Sequence, residues 1–128
     1  MAELKEVKKW LEKAKNDYDF SSSILPESTF YAQICFFFQQ SAEKYLKAFI
    51  VKNDLAFKKI HDLIELLKIC QAHQPSFSGL FEDCRTLNVF YIDTRYPVHW
   101  PSNINKEEAL KALSASKKIK EFVEALLE

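Results

Sequence analysis

Residues 30–51 read FYAQICFFFQQSAEKYLKAFIV, and this stretch decides how the rest of the chain must be arranged. At about 100° per residue, Tyr31, Cys35, Phe38, Ala42, Tyr45, Leu46 and Phe49 fall on one side of a helix. Gln33, Gln40, Glu43, Lys44 and Lys47 gather on the other, but Phe36 and Phe37 interrupt that polar side. The first half of the helix is therefore apolar nearly all round, the pattern of a helix covered from several directions. Its rings need a cover, either another helix of the same chain or a second copy of it.

Working outward, 128 residues suit one domain spanning 1–128, and 48% hydrophobic residues are enough to fill its core without staples. A single glycine leaves too little turn chemistry for a strand-and-hairpin protein, so the composition predicts an all-α chain. Lys plus Arg equals Asp plus Glu, at 18 each, which excludes a global field drawing the protein onto nucleic acid or an acidic membrane. Any anion site must be local. No apolar run reaches the roughly 18 residues of a membrane span, and the charged amino terminus is unlike a signal peptide, so the expected location is the cytoplasm. Cys35, Cys70 and Cys84 each occupy an apolar helical position without a Cys-x-x-Cys pair, which predicts buried thiols. Cys70 and His73 could share a helix face, but two ligands do not make a metal site; no metal or cofactor is expected.

Before the central helix, Leu4, Val7, Leu11, Ala14, Tyr18, Ser21 and Leu25 repeat in steps of three and four, which predicts a helix with one buried stripe. Pro26 closes it, and Ser28 or Thr29 is placed to cap the next helix. After Asn53 a connection leads to His61-Asp62, where a carboxylate favours a helix start. The stripe of Leu63, Leu67 and Cys70 marks a short third helix that Gln74-Pro75 stops. A fourth is expected from Ser76 or Ser78 to about Thr94, burying Leu80, Cys84, Leu87 and Tyr91. Pro97 and Pro101 break regularity across 94–104. Asn105 and Glu108 then form a capping box for a last helix, with Ala109, Ala112, Leu113, Ile119, Val123 and Leu126 inside. Neighbours joined by short loops run antiparallel, so the expected architecture is an up-and-down four-helix bundle with an additional short helix.

The irregular segment is the one loop that combines Arg95, Tyr96, His99 and Trp100. Arg95 could grip a phosphate, His99 could move a proton, and the two aromatic faces could stack on bases. The same residues also suit a loop that simply crosses the bundle end. On the central helix, Glu43 with Lys47 and Gln40 with Lys44 have the spacing of ordinary surface pairs. The functional alternative is an anion-binding groove lined by Lys44 or Lys47. His61-Asp62 reads first as a helix start.

The run Phe38-Gln39-Gln40-Ser41-Ala42-Glu43-Lys44-Tyr45-Leu46-Lys47-Ala48, then His61-Asp62-Leu63 with Leu66-Leu67, then Arg95-Tyr96-Pro97, resembles the HEPN domain in order and spacing. Trp10, Ala14, Asp17 and Tyr18 fit the opening of that domain, so the resemblance covers nearly the whole chain. It implies a helical bundle that forms a homodimer and works beside a minimal nucleotidyltransferase, as a nucleotide-binding or partner-binding member of a toxin–antitoxin-like pair. For the metal-independent endoribonucleases of the family it implies that Arg95 stabilises the scissile phosphate of RNA and His99 moves the proton, across a dimer. Here only three residues separate the two, one of them Pro97, and Tyr96 stands where a polar residue is usual. A purely structural dimerisation module is the third reading. The candidate ligand-binding residues are thus Lys44, Lys47, His61, Tyr96 and Trp100, of which Lys44 and His61 also match the family pattern and suit shaping the bundle equally well, and the resemblance makes Phe36, Phe37 and Gln40 the expected dimer face.

Overall fold

In the computed structural model, residues 4–91 and 103–127 are described. The expected central helix is α2, Tyr31–Lys52, and it packs against each of the other four helices: α1 (Leu4–Ile24), α3 (Leu63–His73), α4 (Phe81–Asn88) and α5 (Lys106–Leu127). No described residue is in a strand. The all-α bundle read from the sequence is the observed fold, with three long helices and two short ones among the described residues.

Small side chains let the neighbours approach α2 closely. Ala14, Ala42, Ala109 and Ala112 are fully buried, and three buried serines tie the bundle together through the carbonyls of adjoining helices. Ser41 Oγ donates to the Ala14 carbonyl at 2.8 Å, Ser21 Oγ to Ile34 at 3.0 Å and Ser116 Oγ to Phe38 at 3.3 Å. Each hydroxyl sits where water is excluded, so the bond satisfies a donor that would otherwise be stranded. Larger groups fill the rest. Phe77 lies between Phe49 and Phe122, with ring centroids 4.6 and 4.9 Å away.

Helix ends follow local chemistry. At the end of α2 the chain turns through Asp54, whose φ of 52° is left-handed. Asp54 N donates to Val51 O and Leu55 N to Ile50 O, at 3.2 and 3.0 Å, which completes a Schellman motif with an aspartate in the position that glycine usually holds. The capping box before α5 forms as expected: Glu108 N donates to Asn105 Oδ1 at 2.9 Å, and Asn105 N to Glu108 Oε1 at 3.3 Å.

Several expectations change. Neither Ser28 nor Thr29 caps α2 with its side chain; Phe30 is the cap residue, and Ser28 Oγ accepts from Phe30 N instead. The fourth helix does not start at Ser76 or Ser78. A 3₁₀ helix, Pro75–Leu80, precedes it, because Pro75 sets a tight first turn, and α4 proper is only eight residues long. Tyr91 lies beyond its end and is exposed rather than buried. Leu4 and Leu126 continue their stripes past the core and are exposed.

Candidate functional site

The cluster at one end of the bundle begins with a helix cap. Asp62 Oδ1 accepts from Ile64 N at 2.9 Å and Glu65 N at 3.3 Å, satisfying two orphan donors of α3. Asn88, the last residue of α4, donates through Nδ2 to the same oxygen at 3.1 Å and accepts from Leu63 N at 2.8 Å. The start of α3 and the end of α4 are thereby locked together, which fixes the backbone of His61.

His61 Nδ1 then meets Glu43 Oε1 of α2 at 3.0 Å. Glu43 is the hub. Its Oε2 accepts from Lys47 Nζ at 2.9 Å, and its Oε1 also faces the amides of Gln40 at 3.3 Å and Gln39 at 3.5 Å. Gln39 donates in addition to the His61 carbonyl at 3.1 Å. The side chains of Glu43 and Lys47 are only 4% and 6% exposed, against 47% for His61, so the network runs from the interior to the surface. The Lys47 ammonium lies 5.8 Å from the ring centroids of both Trp10 and Phe57, whose faces attract a cation. Beside an ammonium, the Glu43 carboxylate can only accept. Nδ1 of His61, which faces that carboxylate, therefore carries a proton, and in the neutral form of the ring this leaves a lone pair at Nε2.

The His61 ring stacks on Tyr91, with centroids 4.3 Å apart and planes at 13°. His61, Asp62, Asn88 and Tyr91 line an open cleft of about 280 Å³. A larger cleft, about 370 Å³, lies between α1 and α5 beside Leu11, Lys15 and Glu124. Its Lys15 and Glu124 are already engaged, with Asp19 and with Tyr45 and Lys120 respectively.

The expected site residues separate. Glu43 and Lys47 are not an ordinary surface pair: both are buried, because Trp10, Phe57 and the His61 loop fold over that side of α2. Lys47 is thus engaged inside the protein rather than lining an open groove. Lys44 pairs with Asp17 of α1, and Gln40 reaches Gln39 and Glu43 rather than Lys44. Phe36 and Phe37 are half-buried; Phe37 meets Phe20 at 5.2 Å and Phe36 meets Tyr91 at 6.3 Å. Arg95, Tyr96, His99 and Trp100 lie outside the described residues. Glu43 and Asn88 are the partners that sequence reasoning missed. The signal for Glu43 was a crowd of polar residues, Gln39, Gln40, Glu43 and Lys47, on a helix otherwise apolar enough to be covered all round.

Burial pushes the thiols of Cys35, Cys70 and Cys84 up to about 12, leaving none ready for chemistry. Among the described residues no three potential ligands are grouped to hold a metal ion, and no helix is long and apolar enough to cross a membrane.

Among the described residues, four helices packed on a central α2, with a polar cleft at a bundle end, define a small all-α domain. The HEPN domain profile matches residues 7–126, and the chain belongs to that family. It is similar to TT1696 from Thermus thermophilus, with 30% identity and a TM-score of 0.75 over 93% of this chain and 96% of that one. A second similar structure is ST0689, an archaeal HEPN homologue, with a TM-score of 0.74 over 95% and 98% of the two chains. At 19% identity it supports the fold alone. No curated protein matches the chain.

Proposed function

We propose that this HEPN protein is a nucleotide-binding module that works as a homodimer, holding its ligand in the cleft of His61, Asp62, Asn88 and Tyr91. The observation that carries this reading is a half-exposed histidine, oriented by a buried carboxylate and stacked on an exposed tyrosine in an open cleft. Such a network is costly to bury and is worth retaining where it aims a group at a ligand. Aromatic surface beside it suits a base.

Sequence distance supports a contribution from Arg95. It follows Tyr91 by four residues in the sequence. Its guanidinium is the proposed phosphate ligand, with Tyr96, His99 and Trp100 in the same segment as further ligand contacts. For the homodimer, the support is the aromatic surface that continues from the cleft through Phe36 and Phe37 to Phe20, which is 48% exposed. A second copy covering it would bring two clefts onto one face of the assembly. In the family setting the partner is a minimal nucleotidyltransferase.

Calorimetry with AMP, GMP, CMP and UMP tests the reading. At least one should bind, and His61→Ala or Tyr91→Ala should weaken it by tenfold or more. Absence of binding by all four would sink it. RNA cleavage in EDTA that is lost in both Arg95→Ala and His99→Ala would replace it with a metal-independent endoribonuclease.

A further inference from the structure

The cleft is polarised in a way that bears on which ligand it accepts. The polar side-chain atoms of Asn88, Asp62 and His61 on its walls are assigned in turn. Asn88 is fully engaged, its amide donating to Asp62 and its carbonyl accepting from Leu63 N. Asp62 Oδ1 accepts from Ile64 N, Glu65 N and Asn88. His61 Nδ1 faces Glu43. Among the described residues, that leaves Asp62 Oδ2 and His61 Nε2 without a hydrogen-bond partner. The first is an acceptor because a carboxylate has no proton to give, the second is one in the neutral imidazole because Glu43, paired with Lys47, accepts and so keeps the ring proton on Nδ1.

A ligand that satisfies these two atoms must therefore bring donors, and a negative carboxylate on the wall disfavours a phosphate there. Among the common bases, guanine alone presents two adjacent donors, N1–H and the N2 amino group, on one edge. Adenine and cytosine each set an amino group beside an acceptor, and uracil sets one N–H between two carbonyls. Resting on the nucleotide-binding reading, we propose that the cleft of His61, Asp62, Asn88 and Tyr91 is a guanine-selective base pocket. Asp62 and His61 accept from the guanine edge, Tyr91 supplies aromatic surface for the base, and Glu43 is a positioning residue that keeps His61 an acceptor. The nucleotide's phosphate lies outside the pocket.

Nucleosides isolate the base from the phosphate, so the probes are guanosine, inosine, adenosine and uridine, titrated by calorimetry. Guanosine should bind about tenfold more tightly than inosine, which lacks only the N2 amino group, and more tightly than the other two. Asp62→Asn keeps a good cap for α3 while turning Oδ2 into a donor. It should abolish the guanosine advantage with helix content and Tm unchanged. Glu43→Gln should reduce the guanosine-to-inosine ratio and shift the His61 ring ¹⁵N resonances toward the Nε2–H tautomer, a signature that a merely structural role for Glu43 would not give. Equal binding of guanosine, inosine and adenosine, or a guanosine advantage that survives Asp62→Asn, would overturn the proposal while leaving a general nucleotide-binding role intact. Failure of every nucleoside and every nucleotide to bind would overturn both.

Discussion

Replacing Lys47 with methionine keeps the buried aliphatic stem and removes the ammonium alone. Glu43 Oε2 then loses its 2.9 Å donor, while Oε1 keeps His61 and the two glutamine amides. One charge-assisted hydrogen bond contributes about 1.5–3 kcal/mol, and the cation's attraction to two aromatic faces adds roughly 1–2 kcal/mol. The sum agrees with the about 3–5 kcal/mol expected when one partner of a buried ion pair is deleted and the other is left uncompensated. For a domain of this size that is a fall in Tm of roughly 10–18 °C, and a large part of a total stability on the order of 6–19 kcal/mol. Urea denaturation followed by helical circular dichroism would measure it. Lys47→Met with Glu43→Gln removes both charges and leaves His61 an acceptor oxygen, so the double variant should return to within about 1 kcal/mol of the parent. A single variant that costs less than about 1 kcal/mol, or a double variant no more stable than the single, would refute the idea that Glu43 and Lys47 depend on each other in the interior.

The three buried thiols, each held protonated up to about pH 12, should resist a thiol reagent at pH 8 in the native protein and react within minutes once it is unfolded. Burial, with the Glu124 hydrogen bond, also raises the Tyr45 phenol, so folded thiols and phenol keep protons that the unfolded chain releases. The native state then binds more protons, and stability should fall as pH climbs above about 9; an unchanged urea midpoint from pH 8 to 10.5 would contradict this. Asn105→Ala removes the acceptor for Glu108 N and should cost about 1 kcal/mol, whereas Asn105→Asp, which keeps it, should cost only a few tenths. Denaturation midpoints of the two variants decide between them.

Much of this molecule was legible in its sequence because helices announce themselves locally. The three-and-four spacing of α1, α2 and α5, the Asp62 cap and the Asn105–Glu108 box all depend on residues within one or two turns of each other, and all are present. Pro26 and Pro75 marked the ends of α1 and α3 correctly, yet Pro75 was followed by 3₁₀ geometry ahead of a shorter α4, and Tyr91 lies beyond that helix and outside the core. Spacing cannot distinguish those outcomes, since the same apolar stripe serves either turn.

What the sequence by itself determined was the fold class, the central helix and the helix boundaries signalled by Pro26, Pro75, the Asp62 cap and the Asn105–Glu108 box. What only the tertiary structure decided was the fate of the polar side of α2. Glu43 and Lys47 sit four apart, a spacing that fits an exposed pair as well as a buried one. Their burial depends on Trp10 of α1, on Phe57 in the following connection and on His61, 18 residues from Glu43, closing over them. The strength of that pair, the orientation of His61 and the acceptor character of the cleft follow from the exclusion of water, a property of packing among segments distant in the chain.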